Sequence, residues 1–367
     1  MQQLIKKHCI NVYNALKRPL ISVFLALLVG AIILLISGEN PLTVYKVLVY
    51  GAFVGRGAIL NTLFTATPLI LAGLACIIAF RTDIFNIGVE GQIYMGAFAA
   101  AFVGFTFTGL PGYIHIPLCF LAAIIAGGLW GAVPGLLKGF LGVNELVVTI
   151  MLNQVATLFT GYLVTHPFRG EGLGYAASPK IADSAFLPRF KLTSQLHFGF
   201  IIALLMVILV YFYFRHMSLG FESRIIGWNR LFAETAGMDV AKKTVWIMII
   251  SGAVAGVAGA GEVLGVHHRF AQDFSPGYGF DGVTIALLGR NHPVGVLIAA
   301  LFFAVLRSGS SMMEMMTSVS SNIIKVLQSV IIFFLAVEFL FKEIPIIEYI
   351  KNIFQRIPKG EGAIWRN

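Results

Sequence analysis

The chain has 367 residues, of which 58% are hydrophobic and only 12% charged, about half the usual globular share. Its mean hydropathy is +0.86 and its mass 39.9 kDa. A protein of that size cannot coat a water-facing surface with 26 basic and 17 acidic side chains, so a soluble domain is excluded and a lipid bilayer is the fitting solvent. The net charge of +9 fits basic loops facing the cytoplasm and anionic lipid better than nucleic-acid binding.

Continuous apolar runs, rather than alternating ones, predict an all-α polytopic helical bundle and argue against a transmembrane barrel. In chain order the expected spans are about 20–37, 61–80, 87–108, 115–137, 144–165, 197–214, 244–262, a short one near 280–289, 293–307 and 323–341. The first run lacks a small-residue cleavage site and is expected to remain as an anchor. About ten spans leave both termini on one side. Seventeen of the 26 Lys and Arg then fall on that side, which predicts cytoplasmic N- and C-termini. The resulting organisation is a cytoplasmic segment at 1–19, a transmembrane domain over 20–341 and a basic cytoplasmic tail at 342–367. Within the domain, 166–196 is expected outside and 215–243 inside.

Two pairs of segments echo each other in the same order. Leu71-Ala72-Gly73-Leu74-Ala75 resembles Val254-Ala255-Gly256-Val257-Ala258, and Gly88-Val89-Glu90-Gly91 resembles Gly279-Phe280-Asp281-Gly282. In the expected topology the paired helices cross in opposite senses, which predicts an inverted internal repeat.

Glu90 and Asp281 each lie between glycines at the start of an apolar run, where a charge is costly. With Asn86 and Gln92, Glu90 reads either as lining a translocation path or as capping a helix N-terminus. Glycines there permit close helix approach or an interrupted helix. Asn144 is a plausible N-cap. Thr149 and Asn153, four apart, share a helix face. Asn153 is expected either to bond another helix or to reach a solute.

The inner loop contains Gly227-Trp228-Asn229-Arg230-Leu231-Phe232-Ala233-Glu234-Thr235-Ala236-Gly237, expected as one short amphipathic helix with Gly237 as its stop. Leu231, Phe232, Ala233 and Ala236 are its expected apolar contacts, and Glu222, Arg224, Arg230 and Glu234 its charged rim. Cys9, Cys76 and Cys119 form no metal or disulfide pattern. The adjacent His267 and His268 read as a loop pair, and no catalytic base stands at a recognisable spacing from Ser308, Ser310 or Ser311. No metal or cofactor is expected. The sequence also contains no Gly-x4-Gly-Lys-[Ser/Thr] phosphate loop, so ATP hydrolysis by that route is excluded.

Phe85-Asn86-Ile87-Gly88-Val89-Glu90-Gly91-Gln92 resembles the signature of permease subunits of bacterial ABC importers for simple sugars, nucleosides and branched-chain amino acids. Asn144-Glu145 through Thr149 to Asn153, Gly227 with Asn229, Ala233, Ala236 and Gly237, and Ser251-Gly252 through Gly289 are similar to further segments of that family. The likeness covers roughly 60–340 and leans to the nucleoside branch, with Trp228 as a departure in the cytoplasmic segment. The resemblance implies a transport subunit, not an enzyme, in the bacterial cell membrane. Its implied partners are cytoplasmic ATPases, a second permease subunit (a copy or a paralogue) and an extracytoplasmic binding protein. It implies a pathway at Asn86, Glu90, Gln92, Thr149, Asn153 and Asp281, and ATPase coupling through Arg224, Gly227, Asn229, Ala233, Ala236 and Gly237. An ion-coupled secondary transporter, relaying charge through Glu90 and Asp281, is the rival reading, and a ribose-like sugar is the rival cargo.

Overall fold

The computed structural model describes residues 23–343 except 56, 173, 192, 193 and 318. The basic segment 1–19 and the tail beyond 343 lie outside the described residues. One compact unit holds α1 (Val23–Ile36) and α13 (Asn322–Glu343). The other, Leu42–Ser321, holds the rest and is described below.

Its helices are α2 (Pro41–Phe53), α3 (Ala58–Phe80), α4 (Val89–Thr106), α5 (Gly112–Leu141), α6 (Glu145–Thr165), α7 (Gly199–His216), α8 (Ser218–Trp228), α9 (Arg230–Thr235), α10 (Val240–Glu262), α11 (Tyr278–Leu288) and α12 (Pro293–Met316). Among the described residues six helices are long and apolar enough to cross a bilayer, or seven if α1 and α2 make one broken span. The expectation of ten is not reached there, for physical reasons. α4 begins with Glu90 and Gln92 in its first turns. α11 has 11 residues, a rise of about 16 Å against a hydrocarbon core of about 30 Å. The α2 helix was not expected, because its 13 residues and Lys46 fall short of a spanning window.

The centre of the unit is the long α10, which packs against α3, α4 and α5, while α11 and α12 pack against α3. The α5–α10 contact is nearly backbone on backbone. A Cβ on Gly127 would lie 3.0 Å from the Gly256 Cα, and one on Gly252 would lie 3.2 Å from the Gly131 Cα. Small residues at this spacing let two apolar helices approach where lipid offers no hydrophobic drive. α4 and α11 pack crosswise on the other pair's long helix, α4 on α10 and α11 on α3.

Among its described residues the 166–196 segment holds a 3₁₀ turn at Asp183–Ala185, and it is stitched to the chain after α10. Ser178 N–H donates to Phe270 O (2.8 Å), Ile181 N–H to His268 O (3.0 Å) and Leu187 N–H to Leu264 O (2.9 Å). His197, at its end, has a ring trapped between two glycines. Cβ atoms on Gly199 and Gly265 would lie 2.5 Å from the ring carbons Cε1 and Cδ2. Its Nδ1 accepts the Gly199 N–H at 3.1 Å. Burial, reinforced by Arg189 and His268, pulls His197 down to about 4.

A base whose folded pKa is depressed contributes stability that is complete above its unfolded value, near 6.5, and fades as pH falls toward 4. Melting temperature of the detergent-solubilised protein is therefore expected to drop across that window. The His197→Gln variant is expected to show a shallower slope; an identical slope would remove His197 from the account.

Candidate functional site

After α3, the chain turns at Arg81 and Asp83 (φ 58°) and runs without helix to Gly88. Non-helical backbone inside an apolar bundle must have its polar groups satisfied by protein. Asn86, fully buried, does much of this. Its Nδ2 donates to Ser251 Oγ (2.8 Å) and Gln92 Oε1 (3.1 Å), and its Oδ1 accepts from Gly88 N–H (3.0 Å). The Ser251 hydroxyl in turn donates a hydrogen bond to the Ala75 carbonyl (2.7 Å), tying α10 to α3.

Asn153 supplies the other half. Its Nδ2 donates to Ile87 O (2.9 Å) and its Oδ1 accepts from Gly91 N–H (2.8 Å). These bonds tie α6 to the start of α4. Glycine at 88 and 91 eases this approach, since a Cβ at Gly88 would lie 3.1 Å from Thr149 Cβ and one at Gly91 3.0 Å from Asn153 Cα. Thr149 is buried and its hydroxyl bonds back to Glu145 O (2.7 Å) within α6. The expected Asn144 cap is present, accepting from Leu146 N–H at 2.9 Å.

Glu90 leaves this cluster and reaches across the bundle. Its Oε2 accepts the Gly279 N–H at 2.5 Å, in the first turn of α11, and the Ser275 hydroxyl also bonds its carboxylate. Glu90 is thus in the first turn of α4 while capping another helix, and each positive helix end favours its charge. Two residues on, Asp281 Oδ2 pairs with Arg307 Nη1 of α12 at 3.1 Å. The Arg307 guanidinium lies over the Tyr278 ring (5.1 Å), and the Tyr278 hydroxyl bonds the buried Glu262 at the end of α10.

The structure therefore gathers Asn86, Gln92, Thr149 and Asn153 behind the start of α4. Glu90 joins it to the start of α11, and Asp281 ties α11 to Arg307 of α12. Sequence reasoning missed Ser251, Glu262, Tyr278 and Arg307. In the sequence Arg307 is a lone charge at the end of the expected span 293–307, and Glu262 a lone acid at the end of the expected span 244–262. Among the described residues no three His, Cys, Asp or Glu side chains form a group that could hold a metal.

The expected single helix over 227–237 is instead two, broken at Asn229 (φ −156°, ψ 102°). Asn229 caps α9, with Oδ1 accepting from Phe232 N–H at 2.9 Å. Gly237 ends it in the left-handed region (φ 82°), as expected for a stop. Ala233 is buried against Ile226 and Val240, while Leu231 and Phe232, two of the expected apolar contacts, are exposed. Trp228 is 89% exposed. Gly227 packs on the α3–α4 turn, where a Cβ would lie 3.2 Å from Thr82 Cα. Arg224 has its guanidinium 5.8 Å from the Phe221 ring and close enough to Arg81 to repel it. Arg81 donates to Asn291 O (2.8 Å) over the Phe214 ring. Ala236 follows α9 and closes it, its N–H bonded to Phe232 O at 2.9 Å.

Residues 58–337 match the model of the family described as branched-chain amino acid transport system / permease component, and the chain belongs to this family of membrane permeases. It is 41% identical over 321 residues to the guanosine ABC transporter permease protein NupP of Bacillus subtilis (strain 168), covering 87% of this chain and 92% of that one. It is 34% identical to the nucleoside ABC transporter permease protein NupB of Lactococcus lactis subsp. cremoris (strain MG1363), covering 94% and 97%. It is also 34% identical to the glucose ABC transporter permease protein TsgB13 of Haloferax volcanii, covering 93% and 92%. No solved structure matches the chain. The protein is a multi-pass membrane transport component, not an enzyme.

Proposed function

We propose that the chain is the membrane-spanning permease subunit of an ATP-driven importer in the bacterial cell membrane, carrying nucleosides. The observation that supports it most directly is the junction of α4 and α11. Two helix N-termini meet inside an apolar bundle, joined by the Glu90 carboxylate and the Gly279 N–H. Discontinuous helices meeting at mid-depth are how membrane transporters build solute sites. The packing of α4 on α10 and α11 on α3 supports the inverted repeat, and the bias of Lys and Arg to one side supports cytoplasmic termini. Asn86, Gln92, Thr149 and Asn153 hold the broken backbone of the path, and Glu90 and Asp281 form its polar lining. The alternative cargo is a sugar, favoured by the likeness to the Haloferax volcanii glucose permease.

The drive enters through α8 and α9. Cytoplasmic ATPases grip the exposed Trp228, Leu231 and Phe232. Arg224, Gly227, Asn229, Ala233, Ala236 and Gly237 set the shape of that lever. Gly227 then transmits displacement to the turn that leads into Asn86 and Glu90. A second permease subunit completes the passage, and an extracytoplasmic binding protein delivers the solute.

The test is reconstitution of the chain with its ATPase, second permease and binding protein in liposomes. Uptake of nucleosides above hexoses and branched-chain amino acids, dependent on ATP and insensitive to an uncoupler, is the expected result. Accumulation by this chain alone without nucleotide would establish the ion-coupled rival.

A further inference from the structure

The lone arginine of α12 lies well inside a helix long and apolar enough to cross a bilayer. Arg307 is the fifteenth of the 24 residues of the helix, about 21 Å from its start and about 13 Å from its end. The face it occupies changes character along the helix. In the first half Val296, Ala300, Phe303 and Ala304 are buried. In the second half the same face carries Arg307, Ser311 and Glu314, spaced four and three apart on one side. Ser311 and Glu314 are exposed, and the side chains of Arg307 and its partner Asp281 are 23% and 20% exposed. The short α11 explains the change, since it begins at Tyr278 beside Arg307 and leaves the face beyond uncovered. Half a turn round, Ile298 is 58% exposed, as a lipid-facing position should be.

A charged side chain exposed to hydrocarbon costs about 2.5–3.5 kcal/mol even by the lower scales, so ionisable groups within spans face protein or water. A polar stripe running inward from the end of α12 and stopping at an ion pair therefore faces an aqueous vestibule rather than lipid. Phe280, next to Asp281 in the first turn of α11, is 50% exposed and offers an aromatic face at the start of that helix.

We infer that Arg307 and Phe280 form the wall on which the solute lands, at the floor of a vestibule lined by Ser311 and Glu314. The inference rests on the importer reading and deepens it by naming solute-contacting residues. The chemistry selects a neutral solute with a flat ring and hydroxyl groups. The ring stacks on Phe280, while Arg307 donates and Asp281 accepts hydrogen bonds from the polar edge. The Asp281–Arg307 pair keeps the two charges mutually satisfied when no solute is present.

The test uses the full complex, with Cys9, Cys76 and Cys119 replaced by serine, and single Phe280→Cys, Ser311→Cys and Ile298→Cys variants. A membrane-impermeant methanethiosulfonate reagent is expected to modify Phe280→Cys and Ser311→Cys at least tenfold faster than Ile298→Cys. Saturating guanosine or adenosine is expected to slow the Phe280→Cys reaction severalfold and leave Ser311→Cys unchanged. Arg307→Gln is expected to raise the KM of uptake at least tenfold with ATPase co-purification intact, and Arg307→Lys to recover part of it. Equal labelling of Phe280→Cys and Ile298→Cys overturns the vestibule. Labelling without protection in a complex that transports the nucleoside overturns the solute contact. A complex with no ATP-dependent nucleoside uptake refutes the cargo assignment instead, and the labelling comparison, which needs no solute, still decides whether the stripe faces water.

Discussion

Glu90→Ala is expected to lower uptake more than tenfold while the protein still inserts and binds its ATPase. The alanine leaves the buried Gly279 N–H without its acceptor, a loss of about 1–3 kcal/mol. It also removes negative charge from between two positive helix ends, each worth about 0.3–1 kcal/mol. Both losses fall on the contact that holds α4 and α11 together. Glu90→Gln keeps an acceptor and loses the charge, so an intermediate rate is expected. Gly279→Ala tests the same contact from the other side, because its Cβ would lie 2.6 Å from the Glu90 Cα and push α11 away. Initial-rate uptake in proteoliposomes, normalised to assembled complex, measures all three. Wild-type rates in Glu90→Ala would remove Glu90 from the transport path.

The second large effect is expected at the cytoplasmic lever. Trp228 and Phe232 are 89% and 59% exposed, so truncating both costs the isolated subunit little packing. An aromatic anchor at the centre of an interface is worth about 2 kcal/mol or more, which is roughly a thirtyfold change in affinity. The double variant Trp228→Ala, Phe232→Ala is expected to lose ATPase co-purification by that factor or more, with an unchanged melting temperature. Asn229→Ala acts differently: it removes the α9 cap, a cost of about 1 kcal/mol in helix stability, and weakens docking through the lever's shape. Undiminished co-purification in the double variant would place the ATPase contact elsewhere.

The acids between glycines were legible in the sequence because a charge within an apolar run has few cheap explanations. The break after α3 was legible for the same reason, since Asn86, Glu90 and Gln92 could not all sit on a lipid-facing helix. What the sequence concealed was pairing. Nothing local indicates that Glu90 meets Gly279, 189 residues away. Hydropathy windows treat a charge as a terminator, and this hid Arg307 by closing a span on it. The two-helix form of 218–235 was hidden because Asn229 stands inside an amphipathic pattern, and only its extended backbone and its cap on α9 mark the break. α11 was expected at about its observed length, but its neighbours were not, so its role as a half-length element followed only from the contacts.

The interlocked glycines of α5 and α10 have a mechanical consequence. Met248 and Ala123 carbonyls occupy the space where Cβ atoms on Gly131 and Gly256 would be, so the two helices meet backbone to backbone and tolerate no side chain between them. These two helices form a stiff keel. Any rocking between outward and inward shapes must then be carried by the elements clipped to it through side chains, and a single bulky residue at Gly127 or Gly256 would split the keel rather than tune the motion.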